Sequence, residues 1–280
     1  MPLAPTARFD AAGFWLVGPG LAALLGGLAI AGLGQAPFLV IGAMVITGTF
    51  LVTAYVRHSM RITNPLVDLR LLFIPTFRIA AIGGTLFRLG GGALPFLLPL
   101  MLQASFGLNA FQSGMLTFAS GFGAILMKFI AQSILQRFGF RNVLLVNAGL
   151  SAAMILAPAG FTSATPYWAM VGVLFLGGIF RSLQFTSINA IAYADVESAK
   201  MGSATSFNAV LQQLSASIGI SIAALALQTI QHLTGGTTTD PAHFPPVFAL
   251  LALLSLGSAI WFWRLASTAG DLLLENGRPR

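Results

Sequence analysis

Eight long apolar stretches are the feature of this 280-residue sequence that most limits its fold. An α-helix needs roughly 20 apolar residues to cross a hydrocarbon core about 30 Å thick, and each stretch is about that long. They cover residues 13–33, 37–56, 77–102, 111–135, 143–161, 167–192, 204–230 and 247–265. The strands of a membrane barrel alternate in polarity over about ten residues, and these stretches do not. We therefore predict an all-α, polytopic membrane protein with eight transmembrane helices.

The composition excludes a soluble globular domain and a disordered chain. Hydrophobic residues make up 56% of the sequence and charged residues 8%, and the mean hydropathy is +0.87, whereas about 25% of residues are charged in soluble proteins. The chain contains no cysteine, which excludes disulfides and thiolate metal sites. In a soluble domain the net charge of +7 would favour a nucleic-acid partner. Here we interpret it as charge that orients the chain in the bilayer, and we expect no nucleic-acid partner.

The distribution of Lys and Arg predicts the orientation of the helices. If the N-terminus is cytoplasmic, eleven cations fall on the cytoplasmic side and no Lys or Arg falls in an outer loop. Those eleven are Arg8, Arg57, Arg61, Arg70, Arg78, Arg137, Arg141, Lys200, Arg264, Arg278 and Arg280. Because cytoplasmic loops carry the excess of Lys and Arg, we predict a multi-pass protein of the inner (plasma) membrane with both termini in the cytoplasm.

A polar-leaning connector divides the chain into a hairpin and a bundle. The connector covers residues 57–76, and its Asn64-Pro65 pair interrupts any helix. We therefore predict a two-helix hairpin in 1–56, a cytoplasmic connector in 57–76, a six-helix bundle in 77–266 and a cytoplasmic tail in 267–280. The hairpin turns tightly at residues 34–37 and has no charge within its spans, so we expect both of its helices to face lipid.

Three cations fall within the spans, where an ionisable side chain costs several kcal/mol and needs a partner or a cavity. Lys128 lies about two turns from a cytoplasmic end, so we expect it to extend toward that interface. Arg88 and Arg181 lie deeper. Gln184 and Asn189 follow Arg181 on the same span at helical spacing. Asn208, Gln212 and Ser215 form a polar stripe on the seventh span. The predicted cavity-lining residues are Arg88, Arg181, Gln184, Asn189, Asn208, Gln212 and Ser215. For the Asn and Gln residues, hydrogen bonding between helices is an equally good interpretation.

No motif of an enzyme or a metal site is found in the sequence. His58, His232 and His243 fall outside the predicted spans without metal-ligand spacing, and the sequence lacks a P-loop, a nucleophile elbow and a dinucleotide fingerprint. We expect no catalytic residues, no metal and no cofactor. All seven carboxylates fall in connectors or tails, at Asp10, Asp68, Asp195, Glu197, Asp240, Asp271 and Glu275.

Short motifs in a fixed order resemble those of a known transporter family. Residues 65–70 read PLVDLR and precede a span that ends LPLMLQ, and the loop at 136–141 reads QRFGFR. Residues 181–187, 193–196 and 212–215 read RSLQFTS, YADV and QQLS. Over residues 9–265 these motifs resemble the C-terminal part of the 14-span drug:proton antiporters of the major facilitator superfamily.

The loop QRFGFR is similar to the cytoplasmic D-R-x-G-R-R motif of that superfamily. The resemblance therefore assigns the loop motif to Gln136, Arg137, Gly139 and Arg141. Gln136 stands where the motif has Asp, and Phe140 stands where it has Arg. These departures argue against a charge-relay role. The loop is then expected to act as a turn whose basic residues anchor it at the cytoplasmic side.

The resemblance implies that the hairpin is the pair of extra spans between two bundles and that 77–265 is the second six-helix bundle. The implied function is proton-coupled efflux of small hydrophobic, often cationic compounds by alternating access, with the lipid bilayer and protons as further partners. Because no carboxylate lies within a span, the proton-carrying group is expected in a separate N-terminal half. The alternative is a non-transporting membrane module or a truncated product.

Overall fold

The computed structural model describes residues 10–33, 36–62, 65–235, 240–271 and 273, and in this part of the chain it is helical and contains no strand. The α-helices are α1 (Ala11–Leu33), α2 (Phe38–Ser59), α3 (Pro75–Gly92), α4 (Leu94–Leu100), α5 (Ala110–Phe138), α6 (Phe140–Leu156), α7 (Tyr167–Tyr193), α8 (Met201–Thr234), α9 (Phe244–Leu256) and α10 (Ser258–Trp263). The prediction of an all-α polytopic fold is confirmed.

Seven helical segments in the described residues are long and apolar enough to cross a membrane. They are Phe38–Ser59, Pro75–Ser105, Ala110–Phe138, Phe140–Gly160, Tyr167–Tyr193, Ser198–Thr234 and Pro241–Trp263. Helix α1 has 23 residues, and at a rise of 1.5 Å per residue it is about 34 Å long, which is enough for a further crossing.

Two of the predicted spans are interrupted helices. The third span consists of α3, α4 and a π-helical segment, Met101–Ser105. Pro95 follows the first break, and proline cannot donate the backbone hydrogen bond that would continue α3. The last span divides at Gly257 into α9 and α10. Short 3-10 helices at Ala157–Gly160, Ser198–Lys200 and Pro241–His243 extend α6, α8 and α9, and a fourth, Leu69–Phe73, lies in the connector.

The hairpin is packed against the bundle along one of its helices. Helix α1 contacts both α2 and α8, and Val17 belongs to the buried core. Helix α2 lies outside, with Phe38 93% and Phe50 71% exposed. The expectation that both helices face lipid is therefore wrong for the side of α1 that packs on α8. Residues 34 and 35 of the predicted turn at 34–37 lie outside the described residues, as does Asn64.

A polar cluster joins the base of the hairpin to the connector. Asp10 Oδ1 accepts from the Gly13 backbone N–H at 2.8 Å and lies 2.9 Å from His58 Nε2, while Oδ2 accepts from the Leu66 N–H at 3.3 Å. Burial raises the pKa of this carboxyl, but the hydrogen bonds from His58, Gly13 and Leu66 together lower it below its usual range. The carboxylate therefore stays charged and links α1, α2 and the connector.

Glycines allow α5 and α7 to approach very closely. A side-chain Cβ at Gly123 would collide with the backbone carbonyl oxygen of Phe175, and one at Gly178 would collide with that of Ser120. Small residues at helix contacts are the usual route to close packing in membranes, where interhelical van der Waals contacts drive association. This contact brings Arg181 beside α5.

We expect Gly123→Ala to lower the stability of the protein, because the added methyl group pushes α5 away from a backbone atom that cannot rotate aside. Overpacking of this kind costs about 1–3 kcal/mol. Gly121→Ala, on the same helix, is the matched control because its Cβ would enter open space. Thermal unfolding in detergent should show a lower midpoint for Gly123→Ala and an unchanged or higher midpoint for Gly121→Ala. Equal midpoints would contradict the close α5–α7 contact.

The orientation in the bilayer remains a prediction, based on the eleven cations, of which Arg8, Arg278 and Arg280 lie outside the described residues. Reporter fusions after Gln103, Ala164 and Gly236 are expected to report the outer side, and fusions after Asp68, Gly139 and Lys200 the cytoplasm. Gly236 lies outside the described residues. The reverse pattern would overturn the predicted topology.

Candidate functional site

A cavity of about 570 Å³ lies between α3, α5, α7 and α8. Its lining residues are Phe87, Arg88, Gly91, Gly92, Ala124, Lys128, Arg181, Ser182, Phe185, Thr186, Ala209, Gln212, Gln213 and Ala216. Arg88 is the fourteenth residue of the helical segment Pro75–Ser105, and Arg181 is the fifteenth of Tyr167–Tyr193. The cavity therefore lies near the middle of the spans.

Arg88 is buried on α3 and is held by neutral groups. Only 4% of the residue is exposed. Its Nη2 donates to Asn189 Oδ1 at 3.3 Å and to Asn208 Oδ1 at 3.5 Å. Its guanidinium carbon lies 5.2 Å from the centroid of the Phe185 ring, within the range of a cation–π contact. Its Nε and Nη1 are buried without a hydrogen-bond partner.

An amide cluster between α7 and α8 fixes this arginine. The Asn189 side-chain oxygen accepts from Asn208 Nδ2 at 3.0 Å and from Gln212 Nε2 at 3.4 Å, in addition to Arg88. Asn208 Nδ2 also donates to the Tyr193 hydroxyl at 2.9 Å. Tyr193 is absent from the sequence-based candidates. Its position four residues after Asn189, on the same helical face, is the signal that could have identified it.

Arg181 reaches the cavity from α7. Its Nη2 donates to Ser120 Oγ on α5 at 2.6 Å. The Arg181 side chain passes beside Gly91, where an added Cβ would lie at an ordinary contact distance of 3.5 Å from Arg181 Cδ. Lys128 is exposed and also lines the cavity; its extension toward the cytoplasmic interface stays a prediction.

Two of the predicted residues make contacts elsewhere. Gln184 is fully buried between α6 and α7, where its Nε2 donates to the Leu144 carbonyl at 3.1 Å and its Oε1 accepts from Asn147 Nδ2 at 2.8 Å. Ser215 Oγ donates to the Leu211 carbonyl of its own helix at 2.5 Å. Neither residue is among those lining this cavity. Of the seven candidates, Arg88, Arg181 and Gln212 line it, and Asn189 and Asn208 hold Arg88 in place.

The loop-motif residues lie apart from the cavity, at the turn between α5 and α6. Gly139 alone separates the two helices and has a φ of +73°, in a region that favours glycine. The guanidinium carbon of Arg137 lies 5.5 Å from the centroid of the Phe138 ring. Arg141 Nη2 donates to the Trp263 carbonyl at 3.1 Å and so joins α6 to α10. Gln136 lies in the last turn of α5.

The described carboxylates lie at or beyond the ends of the helices. Asp195, two residues after α7, accepts a hydrogen bond from Thr76 Oγ1 at 2.8 Å. In the described part of the chain, the ion pairs are His58–Asp10, Lys200–Glu197 and His243–Asp240, and none involves a cavity-lining cation. The same residues contain no group of three His, Asp or Glu side chains that could hold a metal ion. Glu275 lies outside the described residues.

Comparison with known proteins shows similarity to membrane transporters. A family model described as Major Facilitator Superfamily matches residues 80–278. The chain is 33% identical over 282 residues to a protein provisionally named multidrug resistance protein MdtD in Citrobacter koseri, covering 98% of this chain and 59% of the relative. The proteins of that name in Cronobacter sakazakii and Escherichia coli K12 are 31% and 33% identical, over 93% and 98% of this chain and 56% and 59% of theirs. The chain thus spans less than two thirds of the length of these relatives, which fits a C-terminal part of such a protein.

Proposed function

Since this chain belongs to the major facilitator superfamily, we propose that it forms the C-terminal bundle of a secondary active exporter of small hydrophobic compounds in the inner membrane. The multi-pass helical fold and the family support a component of a membrane transporter rather than an enzyme. In our proposal, export proceeds by alternating access and is coupled to protons.

The cavity at mid-span is the observation that carries this proposal. Secondary transporters bind substrates near the bilayer midplane, between two structural repeats that rock against each other. The cavity between α3, α5, α7 and α8 has this depth, and its volume of about 570 Å³ lies in the range of about 300–1,000 Å³ found for small-molecule sites. A second bundle facing this cavity would complete the binding site.

The position of the titratable groups supports a separate source of the coupling proton. Proton relays in membranes use Asp, Glu or His. Among the described residues these groups lie at or beyond helix ends, with His58 the second-last residue of α2 and His243 just before α9. Arg88 and Arg181 cannot replace them, because a guanidinium does not release its proton in proteins. We therefore place the proton-carrying group in the N-terminal bundle.

A chimera tests the proposal in cells. The chain is fused after the N-terminal part of the Citrobacter koseri relative and expressed in bacteria that lack their main exporters. We expect several-fold lower accumulation of at least one dye from a panel of anionic, neutral and cationic fluorescent dyes. That N-terminal part alone is the control. Unchanged accumulation of every dye, with normal amounts of the chimera in the membrane, would refute the proposed function.

A further inference from the structure

We infer that the cavity between α3, α5, α7 and α8 binds an amphipathic anion: a compound with an apolar body and a carboxylate, sulfonate or phosphate group. This inference rests on the proposed function and specifies its substrate class. It differs from the cationic compounds that the family resemblance implies.

The charge of the cavity wall is the first reason. Arg88, Lys128 and Arg181 come from three different helices and line the same space, and no carboxylate is among the lining residues. The partners that the structure gives the two guanidinium groups are neutral: amide oxygens for Arg88 and a hydroxyl for Arg181. Charged groups that are removed from water are strongly stabilised by an opposite charge. An anionic ligand would supply this charge.

The geometry of the cations is the second reason. Hydrogen bonds to Asn189 and Asn208 restrict the Arg88 side chain, so its guanidinium group stays at the cavity wall. Arg181 and Lys128 reach the cavity from two neighbouring helices, α7 and α5. Guanidinium groups pair well with carboxylate and phosphate oxygens.

The apolar part of the lining determines what the anion must carry. Phe87 and Phe185 provide aromatic surface, and Gly91, Ala209 and Ala216 add small apolar residues to the lining. A small inorganic anion would leave this surface in contact with water, whereas an apolar body would cover it. The lining therefore favours an anion with an aromatic or aliphatic body.

A pair of probes with the same ring and opposite charge tests the inference. The purified chain is placed in nanodiscs of zwitterionic lipid, and binding of 2-naphthylacetate and of 2-naphthylmethylammonium is measured by equilibrium dialysis, with empty nanodiscs subtracted. We expect the anion to bind saturably with a Kd at least about tenfold lower than the cation, the effect of one charge-assisted hydrogen bond. Equal binding, tighter binding of the cation, or no saturable binding of the anion would overturn the inference.

Charge-removing variants locate the binding to the cavity. Lys128→Gln and Arg181→Gln are each expected to raise the Kd of 2-naphthylacetate about tenfold. Neither should raise the Kd of 2-naphthylmethylammonium. Lys200→Gln is the matched control, because Lys200 is exposed and paired with Glu197 outside the cavity. Thermal unfolding confirms that each variant is folded, and Lys128 is an exposed side chain whose replacement leaves the core intact. If Lys200→Gln weakens binding of 2-naphthylacetate as much as Lys128→Gln does, the anion binds outside the cavity and the inference fails.

Failure of the inference is distinguishable from failure of the proposed function. Anion binding that depends on Lys128, together with a chimera that exports no dye, would support the anion site and refute the exporter. A chimera that exports cationic dyes only, together with no anion binding, would support the exporter and refute the anion site.

Discussion

We expect Arg181→Ala to lower export by the proposed complete transporter at least about tenfold, while the amount of protein in the membrane stays near normal. The substitution removes a mid-span positive charge and the hydrogen bond to Ser120 Oγ. A charge-assisted hydrogen bond from this guanidinium to a bound substrate would contribute about 1.5–3 kcal/mol, which is tenfold or more in an equilibrium constant. The fold tolerates the loss because Arg181 lines an open cavity. The measurement is dye efflux by the chimera, normalised to membrane protein.

Two further variants separate the charge from the packing. Arg181→Lys keeps a cation at the cavity wall and should retain part of the export, whereas Ser120→Ala removes only the hydrogen-bond partner and should have a smaller effect than Arg181→Ala. Arg57→Ala, at an exposed position on α2, serves as the control for loss of an arginine. Normal export by Arg181→Ala would show that this residue serves packing alone.

The helical fold could be predicted because bilayer thickness dictates the length of an apolar stretch. Interruptions within the spans were harder to predict, since a glycine such as Gly257 is compatible with both a continuous and a broken helix. The packing of α1 on α8 could not be predicted either, because both sides of an apolar helix look alike in the sequence. Only the shape of the neighbouring helix determines which side is covered.

The candidate site could be predicted in part. Arg88 and Arg181 were identifiable because deeply placed cations need a special environment. The partner of Gln184 could not be identified, because Asn147 on α6 becomes its neighbour only in the folded bundle. Ser215 uses a carbonyl of its own helix, an option open to any helical serine. Lys128 shares a helical face with Ser120 and Ala124, four residues apart, and this periodicity is a better guide than its distance from the end of the span.

We propose that this chain supplies one bundle of a two-bundle transporter, and we therefore expect the chain by itself to transport nothing. Alternating access requires two bundles. Helices α1 and α2 form only a hairpin, and no carboxylate or histidine in the described residues lies near mid-span. A pair of chains would supply a second bundle but would still lack the proton-carrying group.

Reconstitution into proteoliposomes tests this claim most directly. Dye movement driven by an imposed proton gradient is measured for the purified chain alone and for the chain mixed with the N-terminal part of the Citrobacter koseri relative. We expect the chain alone to match empty liposomes, and the mixture to move dye several-fold faster in a gradient-dependent way. Gradient-driven transport by the chain alone would contradict both the half-transporter proposal and the assignment of the proton-carrying group to the N-terminal bundle.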